Sequence, residues 1–238
     1  MRRALGFLTP LGGSSTPTPS TFSWFPVVGA LIGFLVGAVW WGAAAIWPLP
    51  VAGTLAVVAD LGLTGMLHLD GLADSADALL PPVSRERRLE IMRDPRSGAF
   101  GVVAVVVVLL LRFSVFASLT PTRTTMFALA GIWAMSRAAM AVTACTVAYA
   151  RPQGLASAFL GASPTAIVVL GVALSFVLAG IGTEPHLRGV LAVAGGALAA
   201  AAVVAFAHAK VGGFTGDVLG ACGVIGETAA LLVLAVHG

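Results

Sequence analysis

GAFGVVAVVVVLLLRFSVF, residues Gly98 to Phe116, carries one charge, Arg112, in 19 residues. A helix crossing the hydrocarbon layer of a bilayer needs roughly 20 mostly apolar residues. Six further stretches read the same way: Pro26–Trp47, Val51–Met66, Thr125–Ala148, Thr165–Gly182, Gly189–Ala209 and Val218–Val236. The runs are continuous and rich in Ala, Val, Leu and Gly. A membrane β-barrel would instead show ~10-residue segments of alternating polarity. Hydrophobic residues make up 58% of the chain and charged ones 10%, and the mean hydropathy is +1.01, which excludes an ordinary soluble domain. The expectation is an all-α fold: one polytopic integral membrane helical bundle over residues 1–238, with about six or seven transmembrane helices. The short Val51–Met66 stretch is expected to leave the apolar core near His68–Gly71.

The 13 Lys and Arg residues have a topological reading, because basic residues favour cytoplasmic loops. With the N-terminus inside, the inner segments hold Arg2, Arg3, Arg85, Arg87, Arg88, Arg93, Arg96, Arg151 and Lys210. The outer loops hold Arg123 and Arg188, while Arg112 and Arg137 fall inside helices. This places Leu67–Phe100, Arg151–Ala162 and Lys210–Gly216 together on the cytoplasmic face of a cell inner membrane. No removable signal peptide is expected, since the apolar ALGFL is short and Pro10 follows closely. The net charge of +3 says nothing about nucleic acid, because the arginines serve topology, and no nucleic-acid partner is expected. Cys145 and Cys222 both fall in apolar stretches and read as packing residues. Gly29, Gly33 and Gly37 form a small-residue stripe for close helix packing.

Against this background, HLDGLADSADALL (His68–Leu80) concentrates three acids. Asp70, Asp74 and Asp77 stand at i, i+4 and i+7, one face of a helix, with no Lys or Arg three or four residues away to pair with them. Carboxylates so placed repel one another unless a cation sits between them. Mg²⁺ takes carboxylates together with phosphate oxygens and water. Gly71 allows close approach by another backbone or by a phosphate. His68 is either hydrogen-bonded scaffolding or a base. Asp60, inside an apolar stretch, is expected to face the bundle interior and support the site.

Two further segments carry polar chemistry. RERRLEIMRDPRSGAFG (residues 85–101) holds Arg93, Asp94 and Arg96 beside a glycine-bounded turn that opens a helix, and helix N-termini attract phosphate. Arg85, Arg87 and Arg88 are explained by topology alone. KVGGFTGDVLGACGVIGE (residues 210–227) offers a glycine loop, Gly212, Gly213 and Gly216, with Thr215 and Asp217 at its exit. Asp217, Gly220, Val224 and Glu227 share one helical face. Arg137, buried in a helix, needs a partner, either Glu227 or Asp217.

LTGMLHLDGLADSADAL, LEIMRDPRSGAFGV, Ser136–Arg137, RPQGL and GGFTGDVLGA followed by GE together resemble the cobalamin synthase family, the adenosylcobinamide-GDP ribazoletransferases of vitamin B12 biosynthesis. The resemblance covers nearly the whole chain in the same order. It departs at Pro10, where the family often has a basic residue, and at Ala78, where it usually has Gly. The pattern DG-x2-D-x2-D is also similar to that of CDP-alcohol phosphotransferases, but their longer acidic motif is lacking, so that likeness is one of chemistry only. The resemblance implies an integral membrane transferase. It joins adenosylcobinamide-GDP to α-ribazole or α-ribazole 5′-phosphate, releases GMP and requires Mg²⁺. On that reading Asp70, Asp74 and Asp77 hold the metal, and one of them or His68 accepts the hydroxyl proton. Arg93, Asp94, Arg96 and Arg137 belong to the phosphate site, as do Gly212, Gly213, Thr215, Gly216, Asp217 and Glu227. A homo-oligomer or a complex with other pathway enzymes stays open. The rival readings are a lipid-linked phosphotransferase and a cation or proton transporter using the Asp cluster.

Overall fold

The computed structural model describes residues 1–10, 19–151, 164–183 and 186–236. The part of RPQGL beyond Arg151 lies outside these residues. The described chain is helical: α1 (Arg2–Leu8), a 3-10 turn (Pro19–Trp24), α2 (Phe25–Ala44), α3 (Leu49–Thr64), α4 (Leu67–Leu79), α5 (Arg85–Ile91), α6 (Ala99–Ser118), α7 (Thr125–Thr146), α8 (Pro164–Ile181), α9 (His186–Val211) and α10 (Gly216–Leu234). Among the described residues α2, with the turn before it, and α6, α7, α9 and α10 are long and apolar enough to cross a membrane. The pair α3–α4 passes together as a broken sixth span, and the apolar part of α8, Val169–Ile181, is shorter. All seven apolar stretches of the sequence therefore correspond to helices, in a polytopic bundle.

Large apolar side chains cover much of the outside of the bundle, and a few charged ones lie within its apolar core. On α6, Val102, Val103, Val106, Val107 and Leu110 are exposed, while Gly101, Val108, Arg112 and Val115 are buried. That inversion is stable only where hydrocarbon replaces water as the surrounding solvent. The glycine stripe of α2 lies on α7. A Cβ at Gly29 or Gly33 would run into the backbone carbonyls of Trp133 or Leu129, and one at Gly37 would come 2.8 Å from Met126 Cα. Small residues here let the two backbones approach to the distance at which packing holds membrane helices together.

The α3–α4 span breaks at two successive left-handed residues, Gly65 (φ 59°) and Met66 (φ 60°). Met66 N–H donates back to the Leu61 carbonyl at 3.0 Å and closes the end of α3. Gly65 adopts this conformation freely, whereas Met66 carries the Cβ penalty of about 1–2 kcal/mol. The helix axis turns by 89° there. Both arms then follow α6 in the antiparallel sense: Gly53 packs on Phe116 and Ala117, Asp60 bonds Arg112, Leu72 joins Val108, and Asp77 reaches the start of α6. The sequence expectation that the helix departs the apolar core near His68 is thus refined. The chain bends there and resumes along the bundle.

Behind the break lies a buried charge network. Arg112 donates from Nη1 to Asp60 Oδ2 (2.6 Å), from Nη2 to Glu227 Oε2 (2.7 Å) and to the Val224 carbonyl (3.0 Å), and from Nε to Thr228 Oγ1 (3.0 Å). Trp133 Nε1 donates to the other Asp60 oxygen at 2.9 Å, and Arg137 pairs with Glu227. Two arginines and two carboxylates, each at most 6% exposed, join α3, α6, α7 and α10. Removing one member leaves its partners charged and uncompensated in a dry interior. Arg112→Met should therefore cost ~3–5 kcal/mol of stability. Arg123→Met, which removes a surface guanidinium lying 5.3 Å over the Trp41 ring, should cost under ~1 kcal/mol. Thermal unfolding of both variants in one detergent checks the contrast.

Candidate active site

The acids of α4 lie on one face with graded exposure: Asp70 is exposed, Asp74 half-buried and Asp77 buried. Their roles differ. Asp77 is a helix cap: its Oδ2 accepts from Gly98 N–H at 2.6 Å and its Oδ1 from Gly101 N–H at 2.9 Å. A Cβ at Gly98 or Gly101 would collide with that carboxylate, which is why SGAFG carries glycines at those positions. The N-terminus of α6, read from sequence as an anion site, thus receives a protein carboxylate. Asp70 and Asp74 have no cationic hydrogen-bond partner among the described residues. Asp74 lies in the field of three like charges, Asp70, Asp217 and Asp77, against which Arg151 is the offsetting cation.

Asp217 comes from the other end of the sequence because α4 and α10 cross in close contact. A Cβ at Gly71 would lie 2.8 Å from the Asp217 carbonyl oxygen, and one at Gly220 would lie 3.1 Å from the His68 carbonyl oxygen. The approach that Gly71 permits is therefore that of another backbone. The α9–α10 loop is pinned to the end of α7. Phe214 N–H donates to the Ala148 carbonyl and Ala150 N–H to the Phe214 carbonyl, both at 2.9 Å, and a Cβ at Gly213 would strike the Ala148 carbonyl. Gly212 has φ 79°. A Cβ added at Gly216 would meet open space. Thr215 caps α10 by accepting from Val218 N–H at 3.3 Å. Asp217 is not the cap. It accepts from Thr215 Oγ1 at 3.2 Å and from Arg151 Nη2 at 3.1 Å.

The arginine segment divides into three uses. Arg85 and Arg88 are structural: Arg85 Nε donates to the Val211 carbonyl (2.8 Å) at the end of α9, and the buried Arg88 donates to Ala78 and Leu79 (2.6 and 2.8 Å) at the end of α4. Arg96 forms a two-pronged pair with Asp94, at 2.9 and 2.6 Å, and those bonds hold the Asp94 carboxyl down at about 2. Arg93 is exposed at the surface. His68, Arg137 and Glu227 lie inside the bundle with Asp60 and Arg112, away from the exposed Asp70. The choice left open for Arg137 falls to Glu227. Sequence reading gave Arg151 only a topological role and left Arg112 without one. Their partners stand 66 residues away for Arg151, and 52 and 115 away for Arg112, so no local spacing connects them.

Fold and site define a polytopic helical membrane protein with a polar, carboxylate-lined site formed where a broken span crosses α10. The family model described as cobalamin-5-phosphate synthase matches residues 1–235, and the chain belongs to that family. Relatives named adenosylcobinamide-GDP ribazoletransferase include those of Pseudomonas paraeruginosa, 39% identical over 98% of this chain and 96% of the relative, and of Chlorobium phaeovibrioides, 35% identical over 94% and 91%. The relative from Pseudomonas aeruginosa is 38% identical over 98% and 96%. No solved structure matches the chain.

The division of labour among the acids has a stability signature. Asp77→Ala, which removes a cap, should lower stability by ~1–2 kcal/mol. Asp74→Asn removes one of four neighbouring like charges and should raise the unfolding temperature in metal-free buffer. Thermal unfolding of the two variants side by side reads both signs.

Proposed function

We propose that this protein joins adenosylcobinamide-GDP to α-ribazole or its 5′-phosphate, releasing GMP and giving adenosylcobalamin or its 5′-phosphate. The observation that carries the reading is the pair of carboxylates without a bonded cation, Asp70 and Asp74, facing Asp217 in a chain of this family. Like charges gathered this closely repel one another unless a cation or water comes between them, and Asp74 is also partly desolvated. A polyanionic substrate reaches such a site with a divalent cation.

The donor chemistry fits Mg²⁺. All the donors are hard carboxylate oxygens, and Mg²⁺ needs only one or two protein carboxylates when phosphate oxygens and water complete its shell. Among the described residues no three His, Cys, Asp or Glu groups are placed to hold a metal by themselves, so an ion here would depend on substrate oxygens and water for the rest of its shell. Asp70 and Asp74 would hold the ion, with Asp217 across the crossing. Bound there, it would neutralise charge developing on the leaving phosphate oxygen.

The protein's own residues do the rest. A ribose hydroxyl oxygen bonds to the cobinamide-side phosphorus, the pyrophosphate P–O bond breaks, and the bonding pair leaves with GMP. The hydroxyl proton passes to an Asp carboxylate of the exposed face. Arg93 supplies positive charge at the rim, and Arg96 does so once its fork turns from Asp94 to phosphate. Arg151 keeps Asp217 oriented. Membranes carrying the protein should release GMP from adenosylcobinamide-GDP only when α-ribazole and Mg²⁺ are both present. Asp74→Asn should lower kcat by at least ~100-fold, the scale for losing a charge-stabilising group. Wild-type turnover in the folded variant at saturating Mg²⁺ would refute the assignment.

The same reading puts the acid end of the bundle on the cytoplasmic side of the inner membrane. The three basic segments support it by meeting at one end, through Arg85 with the end of α9 and Arg151 with the start of α10. A cysteine at the exposed Ser97 should react with a membrane-impermeant thiol reagent only after the inner face is opened. Labelling in intact cells would reverse the orientation.

A further inference from the structure

His68 directly follows the α3–α4 break and is 4% exposed, yet neither ring nitrogen has a hydrogen-bond partner. The Nε of Arg137, on α7, is buried and unpartnered as well. Both side chains line one small cavity at the inside of the bend, together with Asp60, Thr64, Arg112 and Glu227. An unbonded polar atom in a dry interior costs about 1–3 kcal/mol, so three such atoms around one cavity need an explanation. The cavity has about 10 Å³ of room for a water's centre, the scale of a single molecule, and its walls combine these polar groups with aliphatic ones such as Val57, Leu61 and Val224. A water placed there would accept from Arg137 Nε–H, and its own hydrogens or its second lone pair would meet the imidazole.

We infer that His68 is a positioning residue: through one water held in this cavity it ties α4 to the Arg137–Glu227 pair and so fixes the bend that aims Asp70 and Asp74 at Asp217. The geometry supports this over a role as base. The imidazole lies inside the bundle among buried charges, whereas the reacting hydroxyl of the proposed transfer belongs at the exposed acid face. At the α4–α10 crossing the His68 backbone also packs against Gly220, so a shift of this residue moves the crossing itself.

The consequence for the metal rests on the proposed function; the consequence for α4 does not. Two variants separate them. His68→Gln keeps a donor and an acceptor for the water, and His68→Phe keeps the bulk and loses both. In metal-free protein, amide hydrogen exchange over Leu67–Leu79 should quicken by ~10-fold or more in His68→Phe and stay near wild type in His68→Gln, as loosening of one local unit requires. The Mg²⁺ concentration for half-maximal GMP release should rise ~10-fold or more in His68→Phe, the usual effect of losing support behind a metal ligand, while kcat at saturating Mg²⁺ changes little. Wild-type exchange in His68→Phe overturns the inference. So does an equal kcat loss of ~100-fold or more in both variants with an unchanged Mg²⁺ midpoint, which is the mark of a base. Faster α4 exchange in His68→Phe, alongside a wild-type protein that releases no GMP, upholds the positioning role and refutes the transferase reading alone.

Discussion

Arg112 sets the terms for the rest of the bundle. A guanidinium in hydrocarbon is tolerated only with its charge answered and its donors filled. The chain meets that demand with groups from three other helices: Asp60 of α3, Trp133 through Asp60 on α7, and Glu227, Thr228 and the Val224 carbonyl of α10. Those bonds fix how α3 and α10 lie against α6. Once they are fixed, the arm beyond the α3 bend has one course open to it, along the first half of α6 and across the start of α10. The acid face follows from that course. The break of the span brings Asp77 to the amides of Gly98 and Gly101, which a straight continuation of α3 past Thr64 would not do.

The acid cluster serves two purposes that its spacing alone cannot separate. Asp77 spends both oxygens on a helix terminus, so its charge is tied to architecture, while Asp70 and Asp74 have no cationic hydrogen-bond partner among the described residues. The glycines divide similarly. Gly71, Gly98, Gly101 and Gly213 are each required by a neighbouring protein atom, and Gly216 is the loop glycine with open space around it. The region that reads as a flexible phosphate cradle is a pinned junction. Rigidity suits phosphoryl transfer, where positioning supplies most of the rate.

Much of this was legible in the sequence. The uninterrupted apolar runs gave the helices, because a bilayer enforces segment length and polarity more strictly than water does. The 3.6-residue period put Asp70, Asp74 and Asp77 on one face, and the four-residue spacing of Gly29, Gly33 and Gly37 foretold the contact with α7. The tertiary pairings were out of reach. Arg112 with Asp60 and Glu227, and Arg151 with Asp217, join residues with no shared periodicity. The capping role of Asp77 depends on a helix start 21 residues downstream. The positive-inside rule also concealed Arg85 and Arg88: it counts charge and is blind to whether a guanidinium is bonded to backbone carbonyls, as these two are, Arg88 in a buried setting.

The order of synthesis gives the shared carboxylate of Glu227 a meaning of its own. Asp60, Arg112 and Arg137 enter the bilayer first, two positive charges with one negative between them, and the second negative arrives only with α10. Until then the growing protein holds a cation that the lipid disfavours by about 2.5–3.5 kcal/mol. Without α10 a chain lacks Glu227 and Asp217 together, so the counter-charge of Arg137 and one wall of the polar site stand or fall with the same helix.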